Sequence, residues 1–412
     1  MLIFKIKKKE IPWWAYVFFS TLCPNVLIGQ IALLLFVITS FFPKIDKSIS
    51  YWIKFLVLEF LFILFSFIQC FGIAASSYDA LQMTRTIFVC FIFDVSFILF
   101  SSKYDIDRIL KIYVNSVFCG MIMSLLIYGN SIGNTAIYDG RFTSAIDLQL
   151  GPIHIFGHSP TALAAIASNA LIIAMIIYWN ENRKKALFYF IFFTVIILLT
   201  QSRKNLVFAG VSLFFIPLFY SGKGINMRKI KIVICTIIIG IITLFCLIKI
   251  PFLYQHIGER LLAAINSFIY IGFDESNFGE SSIRTRAGLV SLAIDAIHKR
   301  PIWGWGLNNF SAVINNGGYY AHNNYLEILV SGGVVGLIIY YSKYLFIGFK
   351  MFKGTKLENA KVSRIYKMCF LMFLVYCLLE YWQITYMFRF IYVLPIMLLQ
   401  YSRRKEKSLY EK

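Results

Sequence analysis

Stretches of about 20 apolar residues recur along most of this chain, and each is long enough to cross the hydrocarbon core of a bilayer as a helix. They dominate the composition: 59% of the 412 residues are apolar and only 15% are charged, whereas soluble domains carry roughly 25% charged residues. Since a lipid-exposed backbone must satisfy its own hydrogen bonds, the sequence predicts an all-α polytopic membrane protein.

Apolar runs with few charges give about ten candidate spans. They are Tyr51–Ala74, Thr84–Phe100, Ile109–Tyr128, Ile155–Trp179, Ala186–Leu199, Leu206–Tyr220, Ile230–Pro251, Tyr325–Phe349, Ile365–Tyr381 and Thr385–Tyr401. A longer stretch, Ile11–Phe42, is interrupted by Pro24 and Asn25, which disfavour a helix and favour a turn. It therefore predicts a hairpin of two short spans, and about 12 transmembrane helices in total.

The formal net charge of +20 comes from short Lys/Arg clusters between the spans. By the positive-inside rule these clusters mark the cytoplasmic side, where both termini then lie. The sequence is thus interpreted as a single integral membrane domain, residues 1–412, with a large periplasmic or extracellular loop at 252–324 that contains short amphipathic helices. Clusters in this arrangement favour membrane orientation and contact with anionic membrane lipid, so no nucleic acid partner is expected.

One very short predicted external turn, Thr200 to Asn205, carries Arg203 and Lys204. Two cations on the side that should be poor in Lys and Arg suggest a bound anion. The alternative is that both side chains snorkel to the interface.

Arg284 and Arg286 begin a predicted amphipathic helix that lies along the membrane surface. Arginine in a first turn opposes the helix dipole. Its placement makes sense if the helix start and a guanidinium bind one phosphate, because backbone N–H groups and arginine both suit phosphate oxygens. The alternative is ordinary solvated charge.

The helix is followed by Pro301-Ile302-Trp303-Gly304-Trp305-Gly306. The glycines allow a turn that closes the helix, and Trp303 and Trp305 can lie at the interface or stack on sugars. His322 then stands at the mouth of a span, between amides and tyrosine, as a candidate general base. The alternative is a plain surface histidine.

His154 and His158 lie four residues apart, a spacing that can bind metal. Without a third ligand nearby in the sequence, no metal site is expected there.

Together these motifs resemble the O-antigen ligase and polymerase family of bacterial envelope polysaccharide assembly. The resemblance covers about Thr200 to Tyr340 and rests on three motifs: Thr200-Gln201-Ser202-Arg203; Arg286 ahead of the P-x-x-G-x-G frame Pro301–Gly306; and Ala321-His322-Asn323-x-Tyr325-Leu326-Glu327 followed by Gly332, Gly333 and Gly336. Gly140-Arg141 weakly resembles a Gly-Arg pair of an earlier external loop. Two departures stand out: Arg284 could substitute for Arg286, and Leu289 and Val290 stand where an aromatic residue is frequent.

The resemblance implies a GT-C-like, inverting glycosyltransferase of the bacterial cytoplasmic (inner) membrane. Its donor would be an undecaprenyl-pyrophosphate-linked glycan, its acceptor a sugar hydroxyl on the external side, and it would need no cofactor or metal. Arg203 and Arg286 would neutralise the departing pyrophosphate, and His322 would take the acceptor proton. The substrate-binding residues would be Arg284, Lys204, Asn323, Tyr325, Arg141, Trp303 and Trp305.

The acceptor is not written in the sequence. We favour polymerisation of O-antigen or capsule repeat units, with the alternative of an O-antigen ligase that transfers polymer to lipid A-core. A less favoured alternative is a flippase or transporter of lipid-linked oligosaccharide, for which matching halves would be expected. Besides the lipid-linked glycan, the candidate partners are a chain-length regulator and a flippase.

Overall fold

A computed structural model describes residues 6–22, 27–41, 49–101, 104, 106–134, 137, 141–145, 148–150, 153–155, 157–178, 181–202, 205–207, 209–210, 281–321 and 323–352, with scattered positions between 227 and 254. The helices are α1 Ile11–Leu22, α2 Leu27–Phe41, α3 Ile49–Gln69, α4 Ser77–Ser101, α5 Ile106–Tyr128, α6 Pro160–Tyr178, α7 Arg183–Thr200, α8 Ser281–Lys299 and α9 Asn324–Phe352. Two short strands, β1 Leu148–Leu150 and β2 Ile153–Ile155, pair antiparallel.

Four helical segments in the described ranges are long and apolar enough to cross a membrane: Trp52–Gln69, Ser77–Ser101, Asp107–Ser131 and Asn324–Lys350. Shorter apolar helices cover Gly29–Phe41 and Pro160–Met175. The chain is thus a helical membrane protein. The total of about 12 spans and the loop at 252–324 stay predictions, because the described ranges omit residues 353–412 and most of 208–280.

Two packed helices separated at Pro24 and Asn25 are present as predicted, whereas their crossing of the membrane as two short spans stays a prediction. Helix α1 ends at Leu22 and α2 begins at Leu27, while the two interrupting residues lie outside the described ranges. The helices pack against each other, with Trp13 of α1 beside Phe36 of α2 at a centroid distance of 5.3 Å. Aromatic packing of this kind supplies much of the interior.

The helices pack in a continuous series of neighbours. Helix α7 contacts α6, which contacts α5, then α1, α2, α4, α3, α9 and α8 in turn. Close approach of α5 to α1 depends on Gly120, where a Cβ atom would lie 2.8 Å from the Thr21 side chain. One series therefore links the turn after α7 at one end to the α8–α9 region at the other.

Helix α6 begins at Pro160, whereas the sequence predicted a span from Ile155. The five intervening positions include the end of β2 and the residues before Pro160. Proline is favoured in the first turn of a helix, because its missing N–H would have no intrahelical partner there.

Helix α9 is not the continuous span predicted for Tyr325–Phe349. At Gly333 the backbone has φ 61° and ψ −166°, a region that is essentially restricted to glycine. The chain folds back there: Asn324 Nδ2 donates to the Tyr341 hydroxyl, 17 residues away, at 2.8 Å. In a straight helix those residues would be about 25 Å apart.

Helix α9 therefore has two arms, Asn324 to Gly332 and Val334 to Phe352. We call the bend between them, Val330 to Val335, the vertex. The rings of Tyr325 and Tyr341 stack across the arms with centroids 5.2 Å apart. Only the second arm, about 28 Å long, can cross a bilayer by itself. The prediction failed because apolar composition alone does not show where a helix reverses.

Candidate functional site

The vertex is filled by the loop that follows α8. Where Gly333 interrupts the helix, the carbonyls of Val330 and Ser331 accept from the N–H groups of Trp305 and Gly306, both at 2.9 Å. On the other side of the break, the N–H groups of Val334 and Val335 donate to the carbonyls of Pro301 and Ile302, at 2.9 and 3.3 Å. The loop thus replaces helix hydrogen bonds lost at the bend, as non-helical backbone within a membrane protein requires.

Glycine is required in this loop by close approach to the vertex. Gly304 has φ 68°, and a Cβ atom there would lie 2.5 Å from the carbonyl oxygens of Val330 and Ser331. A side chain at Gly304 would therefore push the loop out of the bend. From sequence, the P-x-x-G-x-G frame was interpreted as a turn that closes the surface helix. In the structure it also allows the loop to pack against the bend in α9.

Helix α3 holds the same vertex from its other side. Gln69, fully buried at its last turn, donates from Nε2 to the carbonyls of Trp303 at 2.6 Å and Ser331 at 3.1 Å. One helical turn earlier, Phe65 packs where a Cβ atom on Gly332 would lie 3.3 Å from its ring. The end of α3, the loop and the vertex therefore form one packed unit.

The segment between α3 and α4 extends this unit. The N–H of Ala75 donates to the Trp305 carbonyl at 2.9 Å, and the N–H of Ser76 donates to Asn309 Oδ1 at 2.5 Å. Asn309 is itself fully buried and returns a bond from Nδ2 to the Ser76 carbonyl at 3.2 Å. The segment between α3 and α4 is thus hydrogen-bonded to the loop at Trp305 and at Asn309.

The predicted amphipathic helix is present as α8. Its apolar face, Leu289, Ala293 and Ala296, packs with Phe310, Ala321 and Val330. The backbone of Arg284 and Arg286 is helical, as predicted, and the side chains of both lie outside the described part of the chain.

The two tryptophans of the loop have different surroundings. Trp305 donates from its indole Nε1 to the Ala296 carbonyl at 2.9 Å, and the Arg300 guanidinium lies 4.3 Å from the centre of its ring. Trp303 is 51% exposed and lines a cleft of about 350 Å³ with Arg300 and Ile73. Trp303 therefore has an open surface for a ligand, whereas Trp305 is engaged with the protein on its ring face and its N–H.

His322 lies outside the described residues, but both of its neighbours are fixed. The N–H of Ala321 donates to Glu327 Oε2 at 2.9 Å. On the other side, Asn323 Oδ1 accepts from the N–H groups of Tyr325 at 3.0 Å and Leu326 at 3.1 Å, which is the geometry of a helix N-cap. The main chain is therefore anchored on each side of the candidate base.

The turn after α7 is as short as predicted. Gln201 adopts a left-handed conformation with φ 51° and ends the helix, and a new helical segment begins by Asn205. Asn205 is buried and donates from Nδ2 to the Ser202 hydroxyl at 2.8 Å and the Thr161 carbonyl at 3.0 Å. Arg203 and Lys204, between these anchors, lie outside the described residues.

The segment that carries Arg141 is joined to the end of α7. The N–H of Phe142 donates to the Leu199 carbonyl at 2.9 Å, and Phe142 is fully buried. The backbone of Arg141 therefore runs beside the helix end that precedes Arg203. The backbone of Arg141 and the Thr200–Asn205 turn thus lie in the same region of the fold.

His158 lies in the interior beneath this region. Its Nε2 is 2.6 Å from the Ser20 carbonyl of α1, and its own N–H donates to the Ser144 hydroxyl at 2.7 Å. The backbone of His154 is in β2, where it pairs with Gln149. His158 therefore joins α1 to the segment before α6.

Residues that sequence reasoning missed are the buried amides and the carboxylate that hold the loop. Gln69, Asn309 and Glu327 are each at most 9% exposed. Gln69 bonds main-chain carbonyls of the loop and vertex, Asn309 bonds the main chain of Ser76, and Glu327 accepts from the N–H of Ala321. The available signal was weak: Gln69 is a lone amide near the end of an apolar run, and Glu327 stood in a motif without an assigned role.

A family model described as O-antigen ligase, Wzy_C, matches residues 187–341. A comparison with curated proteins finds no match. The matched segment begins in α7, includes the turn with Arg203, and contains α8, the loop, His322 and the vertex. Residues 187–341 of the chain are thus similar to the O-antigen ligase family.

Proposed function

We propose that this protein is an inverting glycosyltransferase that moves a glycan from an undecaprenyl pyrophosphate donor to an acceptor sugar hydroxyl. Arg203 and Arg286 would neutralise the leaving pyrophosphate, and His322 would accept the proton of the attacking hydroxyl. The site would lie on the external face of the cytoplasmic membrane, with both termini inside.

The observation that carries this proposal is the anchoring of the chain around His322 within the family-matched segment. A general base must be held within hydrogen-bonding reach of the proton it removes. Glu327 fixes the residue before His322 and the Asn323 cap fixes the residue after it. A plain surface histidine has no need of side-chain anchors on both sides of its backbone, one of them the buried Glu327.

The arginines supply the complementary half of the chemistry. Pyrophosphate departs with negative charge developing on its oxygens, and guanidinium groups bind such oxygens bidentately. Arg286 is on α8, whose last turns pack beneath the loop, while Arg203 follows the capped end of α7. Lys204 in the same turn, and Arg141, whose backbone runs beside the end of α7, are proposed to contribute further positive charge.

The substrate-binding residues are proposed to follow the open surfaces. Trp303, exposed in its cleft, and Tyr325, 39% exposed at the start of α9, offer aromatic faces to a sugar. Asn323 and Arg284 would add hydrogen bonds, and Trp305 would act mainly by holding Trp303 and Arg300 in place.

We favour repeat-unit polymerisation over ligation to lipid A-core. A deletion strain separates the two: polysaccharide that collapses to a single repeat unit indicates a polymerase, whereas intact polymer that is not attached to lipid A-core indicates a ligase. Lipid-linked repeat units that stay on the cytoplasmic face would instead support the flippase alternative.

The mechanism is tested by complementing that strain with single variants at equal membrane expression. We expect His322→Ala, Arg203→Ala and Arg286→Ala each to abolish product, with Ser66→Ala of α3 as a control that loses only a bond within its own helix. Full activity of His322→Ala would refute the general-base role. Loss in Arg284→Ala with normal activity in Arg286→Ala would move the donor role to Arg284.

A further inference from the structure

We infer that Gln69 of α3 is a positioning residue for the proposed transfer, although it lies far outside the family-matched segment. Its side chain is fully buried, and its Nε2 group bridges two main-chain carbonyls, those of Trp303 and Ser331. The two carbonyls belong to different parts of the fold, the loop and the first arm of α9. The Gln69 side chain thus adds a bridge between them to the main-chain bonds that Trp305 and Gly306 make with the vertex.

The orientation of the Gln69 amide is dictated by these partners. A carbonyl oxygen needs a donor, so the amide must present its NH₂ group to both, and Oε1 then faces away. Within the described residues Oε1 is buried and has no hydrogen-bond partner. A buried acceptor without a partner is unfavourable, so an apolar residue would pack in the same space at lower cost. The role of Gln69 is therefore better explained by its hydrogen bonds than by packing.

The bridge acts on His322 through the first arm of α9. Ser331 is at the vertex end of that arm, and Asn323 caps its other end, next to His322. The arm is short, about 13 Å from Asn324 to Gly332, and a short helix moves as a rigid body. A shift of the vertex is therefore transmitted to the start of the arm, where the proposed base lies.

The same bridge bears on the donor side. The Trp303 carbonyl lies in the loop that continues from α8, and Trp305 in that loop is bonded to the Ala296 carbonyl of α8. Gln69 therefore fixes the relation between the helix of the proposed donor arginine and the arm of the proposed base. This inference rests on the proposed function, because it concerns the geometry of that reaction.

Three variants of the full-length protein in proteoliposomes test the inference, with the lipid-linked glycan extracted from a deletion strain as the substrate. Gln69→Leu removes both donated bonds at similar volume, and we expect kcat to fall about 10- to 100-fold, because a displacement of about 1 Å has effects of this size. The KM for the donor should change little. Ser66→Ala, one turn earlier and equally buried, should match the wild type.

Gln69→Glu tests the hydrogen bonds separately from packing, because its activity should depend on pH. A carboxyl buried against two carbonyl oxygens has a raised pKa and is able to donate one bond only while protonated. The ratio of its activity to that of the wild type should therefore fall as pH rises from about 6 to about 9. Hydrogen exchange at the Trp305 and Gly306 amides, both bonded to the vertex, reports the same loosening independently of transfer.

Wild-type kcat in Gln69→Leu, or a wild-type pH profile in Gln69→Glu, would overturn the inference while leaving the proposed function intact. If Gln69→Leu fails to fold, the pH profile of Gln69→Glu decides alone. If the wild-type protein shows no transfer activity, both the proposed function and the inference are overturned. In that case the variants differ from the wild type in amide hydrogen exchange but not in glycan transfer, which distinguishes this outcome from the others.

Discussion

Replacing Gly333 by alanine tests whether the bend in α9 is essential. The backbone at Gly333 lies at φ 61°, where an L-amino acid is strained by about 1–3 kcal/mol. An added methyl group would also meet the carbonyl of Ile302 and lie 2.7 Å from the N atom of Trp303. These contacts are main chain, so the loop cannot yield by a simple side-chain rotation.

If the loop is displaced, the four hydrogen bonds between it and the vertex are lost. At about 0.5–1.5 kcal/mol each, they amount to about 2–6 kcal/mol. Alanine also favours a straight helix over a bent one by about 1 kcal/mol. Even the lower limits, about 3 kcal/mol from strain and lost bonds, correspond to a population shift of more than 100-fold away from the folded-back form.

We therefore expect Gly333→Ala to reduce transfer about 100-fold or more and to raise hydrogen exchange at the Trp305 and Gly306 amides. Gly210→Ala is the matched control, because Gly210 is helical and a Cβ atom there meets no atom of the described residues within 4 Å. Equal activity and equal exchange in Gly333→Ala and wild type would refute the reasoning, since the loop would then tolerate a side chain at the bend.

Three further outcomes are expected. Lys343→Met should lower stability by about 3–5 kcal/mol, because it removes the cation that the buried Glu59 carboxylate contacts at 3.0 Å. Thermal unfolding should show recovery in the double variant with Glu59→Met, and no recovery would contradict the role of the ion pair. Glu327→Ala should reduce transfer more than Glu327→Gln, which retains an acceptor, and equal losses would argue against anchoring of the main chain. For Glu10, burial raises the pKa, but hydrogen bonds from Arg108 and the main chain outweigh it and lower the pKa overall. The ionised Glu10 carboxylate therefore stabilises the folded form at pH values above its unfolded pKa, and this stabilisation should disappear as pH falls through the folded pKa. If the unfolding midpoints of wild type and Glu10→Gln do not differ across acidic pH, this role of Glu10 is refuted.

Much of the fold follows from the apolar pattern. The break at Pro24–Asn25 and the presence of α3, α4 and α5 were predictable, because apolar length and proline act locally. Two ends were wrong: α3 ends at Gln69 rather than Ala74, and α4 begins at Ser77 rather than Thr84. The reversal at Gly333 was not, because Gly332-Gly333 inside an apolar run is equally compatible with a straight helix packed closely on a neighbour. Contacts between residues distant in sequence, such as those of Asn324 and Tyr325 with Tyr341, show the reversal.

The candidate site was predictable in its residue types and less so in its supports. Arginine, histidine and asparagine are conspicuous in an apolar chain, so Arg203, Arg286 and His322 could be selected without a structure. Gln69 and Asn309 act through main-chain groups more than 200 residues away. Such contacts leave no spacing pattern in the sequence, because any donor of suitable length at the right place in space would serve.

The bonds that join residues 69–76 to the loop at 303–309 have a consequence for protein engineering. The family-matched segment, 187–341, does not contain all of its supports, since Gln69, Ala75 and Ser76 belong to the N-terminal half. If that segment were transplanted into a relative, it would lose the hydrogen bonds that Gln69, Ala75 and Ser76 make with the loop and the vertex. A chimera should exchange the end of α3 and the start of α4 together with the segment.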